Sequence, residues 1–166
     1  MKGHIYLITL KFTQTLLKDM KVTIPAEINE VNPLNSWHVN IYKLNNRKHI
    51  LFVNDQSRLC ILIDGIRTNQ LKALKEKFVQ TLRFYLIHEE ISQEIVETYI
   101  NNANDVIISK TNNRSVLGTM KEIMIFTTDD FEDNLDRMKW LNRLIYKPID
   151  YHYPIEVFKK ALLEQK

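Results

Sequence analysis

Ser36-Trp37-His38-Val39-Asn40-Ile41-Tyr42, then Asn45-Asn46, His49-Ile50-Leu51-Phe52-Val53, Asn54-Asp55-Gln56-Ser57 and Leu59-Cys60-Ile61-Leu62-Ile63, are the segments that decide the fold. Trp37, Val39 and Ile41 alternate with His38, Asn40 and Tyr42, the pattern of a half-buried strand. Asn45-Asn46 is a turn signal, because Asn tolerates positive φ. His49 to Val53 reads as a second strand, and Asn54 to Ser57 as a second turn. Leu59 to Ile63 is apolar on both faces, which predicts a strand at the centre of a sheet. Short turns between successive strands predict an antiparallel meander over residues 36–64.

Working outward, Gly65 ends the last apolar run. From Asn69 to about His88, Leu71, Leu74, Phe78, Leu82 and Tyr85 recur at steps of three and four, which predicts a long helix packed on the meander. Ser92 is placed to N-cap a further helix, with Glu94 in its first turn and Ile95 and Tyr99 facing inward. Val106-Ile107-Ile108 reads as a short buried strand. Val116, Met120, Ile123 and Met124 then form a helical stripe. Leu135, Met138, Leu141 and Ile145 outline another helix, which Pro148 is expected to stop. Pro154 suits the first position of a last helix that packs through Ile155, Phe158 and Leu162. Toward the N-terminus, Ile5 to Thr9 reads as a strand and Thr13 to Met20 as a helix. The stretch from Lys21 to Ser36, with Pro25 and Pro33, reads as a connection.

The expected class is therefore α+β: an antiparallel meander with an added strand, packed against several helices, with a helical part from about residue 129. Residues 1–166 read as one domain, and any boundary falls near Thr128 to Asp133. A chain of this length buries a core without staples. Only three glycines and four prolines argue against disorder. The net charge of +3 comes from cations mixed with acids along the chain. It permits phosphate contacts without forming the concentrated stripe of a dedicated nucleic-acid binder. The single cysteine, Cys60, forms no internal disulfide and sits in an apolar run, so it reads as a buried small hydrophobe. No run approaches the roughly 18 apolar residues of a membrane span. No secretory signal is evident, and the expected location is cytoplasmic.

Two segments offer chemistry. The first is Lys110-Thr111-Asn112-Asn113-Arg114-Ser115-Val116-Leu117-Gly118-Thr119-Met120, which runs from a strand end into a helix start. Lys110 and Arg114 supply charge, Thr111 and Ser115 supply hydroxyls, and the helix start supplies amides; together they suit a phosphate or carboxylate. The same residues also serve as ordinary N-caps and surface cations. Gly118 permits either close approach of a ligand or tight helix packing. The glycines and Gly-Lys-Ser/Thr ending of a P-loop are absent. The second is the meander, where His38, Asn40, Arg47, Lys48, Asn54 and Asp55 lie on or beside strands. A polar face with His, Arg and Lys would bind RNA or cleave a phosphodiester without metal; the plainer reading, and the one favoured, is the solvated face of a sheet with its turn residues. The histidines are scattered and lack metal-pair spacing, and the run from Asp129 to Asp136 lacks the ligand alternation of a calcium loop. Neither metal nor cofactor is expected.

The segments Ser36-Trp37-His38-Val39-Asn40, Arg47-Lys48-His49-Ile50-Leu51-Phe52-Val53-Asn54-Asp55 and Lys110 to Met120 carry a resemblance. The chain resembles a bacterial family of small uncharacterised proteins, a domain-of-unknown-function family. The resemblance spans roughly residues 1–145 and implies a shared fold and a shared polar site. The family pattern continues with Asn-Asp after Met120, where this chain has Lys121-Glu122. The leading expectation is a binding module for an anionic ligand, a nucleotide or the phosphates of a nucleic acid, with Lys110, Thr111, Arg114 and Ser115 at its centre. Arg47, Lys48, Asn54 and His38 would extend that surface. The alternatives are a toxin-like ribonuclease or other metal-independent phosphodiesterase, with His38 or His49 as acid/base, and a protein–protein adaptor using Trp37 or the C-terminal helices.

Overall fold

A computed structural model of the chain describes residues 8–23, 25–27, 32–101, 106–126 and 131–165. Five strands, β1 (Ile8–Phe12), β2 (Ser36–Leu44), β3 (Arg47–Asn54), β4 (Cys60–Asp64) and β5 (Val106–Lys110), form one sheet in the order β4-β3-β2-β1-β5. The expected meander is present: β2, β3 and β4 are successive antiparallel neighbours. Asn45 and Asn46 make the first turn, both with positive φ (53° and 61°), as a tight hairpin loop requires. At the second turn the Asn54 side chain does the work of a backbone carbonyl. Its Oδ1 accepts from the amides of Gln56 and Ser57 and from the Ser57 hydroxyl. On the other side of β2, β1 and then β5 are added in parallel, so the sheet is mixed.

The helices are α1 (Gln14–Asp19), α2 (Leu71–His88), α3 (Gln93–Asn101), α4 (Arg114–Phe126), α5 (Asn134–Leu141) and α6 (Pro154–Glu164). Trp37 of β2 shows which of them cover its face of the sheet. Its ring lies 5.2 Å from Phe78 of α2 and 5.9 Å from Phe158 of α6, and its indole N–H donates to the Tyr99 hydroxyl of α3 at 3.2 Å. Phe52 of β3 stacks on Phe78 at 4.3 Å. The long stripe of α2 predicted from Leu71, Leu74, Phe78 and Leu82 thus lies where expected. Pro154 opens α6 as expected, and the Ser92 hydroxyl accepts from the Ile95 amide at the start of α3.

Four expectations are corrected. First, β4 is an edge strand, not a central one. Its two apolar faces reflect cover by α2 on one side and α5 along the open edge. The Asn142 side chain accepts from the Cys60 amide at 2.7 Å and donates to the Cys60 carbonyl at 3.0 Å, and Met138 Sδ accepts from the Leu62 amide at 3.4 Å. Side chains thereby close an edge that would otherwise be open for pairing. Second, the face of β2 that carries His38 is not solvated: His38 is wholly buried, with α4 packed against β2 and β3. Third, α5 stops at Leu141, well before Pro148, because Asn142 turns inward to β4. Ile145 is left exposed, and Pro148 sits in a short 3-10 turn. Fourth, the first strand, Ile8–Phe12, continues past the expected end at Thr9; residues 5–7 of that expectation, and residues 128–130 of the expected boundary, lie outside the described residues.

Cys60 is fully buried, as expected, and burial pushes its thiol well above the usual range, against a smaller opposing effect of a backbone hydrogen bond. Labelling by a thiol reagent is expected to be negligible for the native chain and rapid after denaturation; fast native labelling would contradict this packing. Among the described residues, no helix is long and apolar enough to cross a membrane.

Candidate functional site

The Lys110–Met120 segment does form a strand-to-helix junction. β5 ends at Lys110, residues 111–113 form a short connection, and α4 begins at Arg114. Asn113 caps the helix: its side-chain oxygen accepts from the amides of Ser115 (2.9 Å) and Val116 (3.1 Å). Two of the amides expected to face a ligand are therefore already satisfied. Lys110 and Arg114 are exposed, and no ion pair holds either among the described residues. An added Cβ at Gly118 would meet nothing within 4 Å, so this glycine serves no tight helix packing.

Beneath this junction lies a buried polar layer that the sequence reading did not assemble. Lys11 of β1 and His38 of β2 share one register row and, by the alternation of strands, one face. Asp55, from the β3–β4 turn, reaches both: its Oδ2 takes Lys11 Nζ at 2.9 Å and its Oδ1 lies 2.7 Å from His38 Nδ1. The other ring nitrogen, Nε2, accepts the Asn112 backbone N–H at 3.2 Å. Because Nε2 is an acceptor, the proton is on Nδ1, and His38 donates it to Asp55. The imidazole is thus a neutral bridge between the carboxylate and loop 111–113.

Arg58 completes the layer. Its Nε donates to Thr119 Oγ1 at 3.1 Å, its Nη2 to Ser115 Oγ at 2.8 Å, and its Nη1 to the Asp55 carbonyl. Burial lowers the pKa of this guanidinium, while the Asp55 carboxylate acts in the opposite direction. Lys11, His38 and Arg58 are at most 6% exposed. Two buried cations face one carboxylate, so the layer retains one positive charge.

The other residues expected at the site lie elsewhere. Asn54 is fully buried; besides holding its own turn, it donates to the carbonyls of Leu34 and Ser36. Arg47 pairs with Asp64 at 3.2 Å, and Lys48 with Asp19 at 2.5 Å. Lys110 shares a register row with Phe12, Val39 and Phe52. Arg47 stands five residues further along β3, roughly 16 Å away along the strand and three strands to the side. The structure therefore brings His38 and Ser115 together with the junction, and leaves Arg47, Lys48 and Asn54 apart from it. Thr111 is tied by its amide to the Phe12 carbonyl at 3.2 Å. His49 is buried, with Nδ1 on the Arg47 carbonyl at 3.1 Å. Trp37 is fully buried and presents no docking surface.

Lys11 and Arg58 are the members that sequence reasoning missed; Asp55 was read as one of the polar residues of the meander, apart from the junction. A usable signal existed for Lys11, a lone cation between Leu10 and Phe12, since a charge in an apolar strand needs a buried partner. Among the described residues, no group of three or more His, Cys, Asp or Glu side chains is placed to hold a metal ion.

Searches of the curated proteins and of the solved structures each returned no match. A family model described as a domain of unknown function (DUF6933) matches residues 9–157, from β1 into α6. That span holds the junction and every residue of the layer beneath it, and the chain belongs to this family.

Proposed function

We propose that the chain is a binding module for a phosphate-bearing anion, a nucleotide or the backbone of a nucleic acid, received at the start of α4. One observation carries this reading. The buried layer of Lys11, Asp55, His38 and Arg58 keeps one unmatched positive charge, and the two cations at the junction above it, Lys110 and Arg114, are unpaired among the described residues. An anion at that surface would be attracted by both layers. Because Asn113 occupies two helix amides, the donors left to a ligand are chiefly side chains: Arg114, Lys110, and the hydroxyls of Ser115 and Thr111. Ser115 accepts from Arg58, which leaves its own hydroxyl proton free to donate outward.

Arg114→Ala is expected to weaken binding about ten- to a hundredfold, the effect of losing one charge-assisted hydrogen bond. Unfolding stability should change by less than about 0.5 kcal/mol, since Arg114 is exposed. The check is calorimetric titration of both chains with inorganic phosphate, nucleoside triphosphates and short RNA. Affinity should fall as salt rises. A parent chain that binds none of these overturns the proposal.

The Asp55–His38 pair supports a second reading, phosphodiester cleavage with His38 as the proton acceptor, since a carboxylate on Nδ1 orients an imidazole for that role. In the described state Nε2 is occupied by the Asn112 amide and the ring is buried, so this chemistry requires loop 111–113 to move. Turnover of RNA that disappears in His38→Ala would favour cleavage over binding alone.

A further inference from the structure

A pocket of about 480 Å³ lies between the β2–β3 hairpin end and the first turn of α5. It shares no residue with the junction at α4, so each reading can fail without the other. Arg137 lines it and is 5% exposed. Its Nη1 donates to Asn134 Oδ1 at 2.6 Å and its Nη2 to the Phe131 carbonyl at 3.2 Å, both neutral acceptors. The guanidinium carbon lies 6.0 Å from the centre of the Phe131 ring. Its Nε is buried and has no hydrogen-bond partner. Among the described residues, no carboxylate forms an ion pair with Arg137. A buried cation surrounded by neutral acceptors is costly unless something brings a negative charge to it.

The rest of the pocket narrows what that something is. His49 lines the same pocket and is 5% exposed; its Nδ1 contacts the Arg47 carbonyl, so in the neutral ring Nδ1 donates and Nε2 accepts. Glu132 and Asp133 are exposed and carry carboxylates at the mouth. Leu44 and Phe131 supply apolar surface. The Arg47 charge is already engaged by Asp64 at 3.2 Å. A phosphate dianion would have to pass two carboxylates of like sign. A molecule with a carboxylate for Arg137, an ammonium for the Glu132 and Asp133 side, and an apolar body for Leu44 and Phe131 matches these walls, while Asp64, which also lines the pocket, is engaged by Arg47. The volume lies within the range of small-molecule sites.

We infer that the pocket between the hairpin end and α5 binds a free amino acid with an apolar or aromatic side chain, with Arg137 holding its carboxylate and Glu132 its ammonium group. The test is titration of the full chain with L-phenylalanine and L-leucine, followed by calorimetry or by amide shifts of residues 131–137. Saturable binding is expected. The affinity of 3-phenylpropionate, which lacks the amine, and of phenethylamine, which lacks the carboxylate, should each be lower by about tenfold or more. Arg137→Met should remove binding while the chain still folds, because the lost charge had no ionic partner. Glu132→Gln, at an exposed position that leaves the fold intact, should lower affinity roughly three- to tenfold and decides the matter if Arg137→Met does not fold. Absence of saturation up to about 10 mM of either amino acid, a range that still resolves millimolar affinity, overturns the inference. So does displacement of phenylalanine by inorganic phosphate, or parent-like binding by Glu132→Gln.

Discussion

Asp55→Ala is expected to lower the unfolding free energy by about 3–5 kcal/mol, the range for removing one partner from a buried charged network. The carboxylate accepts from Lys11 at 2.9 Å and from His38 at 2.7 Å, and its side chain is 7% exposed. Without it, two buried cations and an imidazole N–H lose their only negative neighbour in the layer. The loss comes from the charges left behind more than from the bonds broken. Adding Lys11→Met to Asp55→Ala should therefore recover part of the stability, so that the two changes are not additive. The measurement is urea unfolding of the parent, both single variants and the double variant. A loss under about 1 kcal/mol for Asp55→Ala would show that water or relaxation satisfies the cations, and the layer would no longer count as a buried source of charge.

The same substitution reaches the proposed binding surface without touching a ligand. Asp55 holds the proton on His38 Nδ1, and that leaves Nε2 free to accept the Asn112 amide. In Asp55→Ala the imidazole has no fixed tautomer, and loop 111–113 loses its tether at Asn112 while the Thr111 amide stays on the Phe12 carbonyl. Exchange of the Asn112 amide should then quicken although Lys110 and Arg114 are unchanged, which reads the freed loop directly.

How much of this was legible in the sequence depends on how far apart the cooperating residues lie. The meander was readable because its turns are local: Asn45, Asn46 and Asn54 act within a few residues of themselves. The strand-to-helix junction at Lys110 to Arg114 was readable for the same reason. The layer below it was not, because Lys11 and Asp55 are 44 residues apart and nothing near either one names the other. His38 was visible as a polar residue on an alternating strand, and alternation alone does not say whether a helix covers the polar face. The position of β4 failed on a related point. An apolar run on both faces reports that both faces are covered; it does not report the order of strands. Two segments distant in sequence, α2 and α5, cover this edge strand.

That edge is where the second large effect is expected. Asn142→Leu should cost about 2–6 kcal/mol. Asn142 is fully buried, and its side chain meets both backbone groups of Cys60, accepting at 2.7 Å and donating at 3.0 Å. Leucine of similar size fills the space but leaves a buried amide and a buried carbonyl unpaired, each costing about 1–3 kcal/mol. The Asn142 backbone carbonyl also accepts from the Ile155 amide at the start of α6, so the residue joins the sheet edge to the last helix. Asn142→Asp separates the two bonds. It keeps an acceptor for the Cys60 amide but sets a carboxylate oxygen against the Cys60 carbonyl, in a site with no described ion-pair partner. It should destabilise at least as much as leucine at neutral pH and less under acid conditions, where a protonated carboxyl can donate to that carbonyl. Urea unfolding gives the magnitudes, and exchange of the Cys60 amide tells whether the edge itself has opened. If Asn142→Leu loses stability while that amide stays protected as in the parent, the residue acts through α6 and not through β4. If the amide becomes labile, the freed edge should also promote self-association at high protein concentration, because an unpaired strand offers its amides and carbonyls to a second chain.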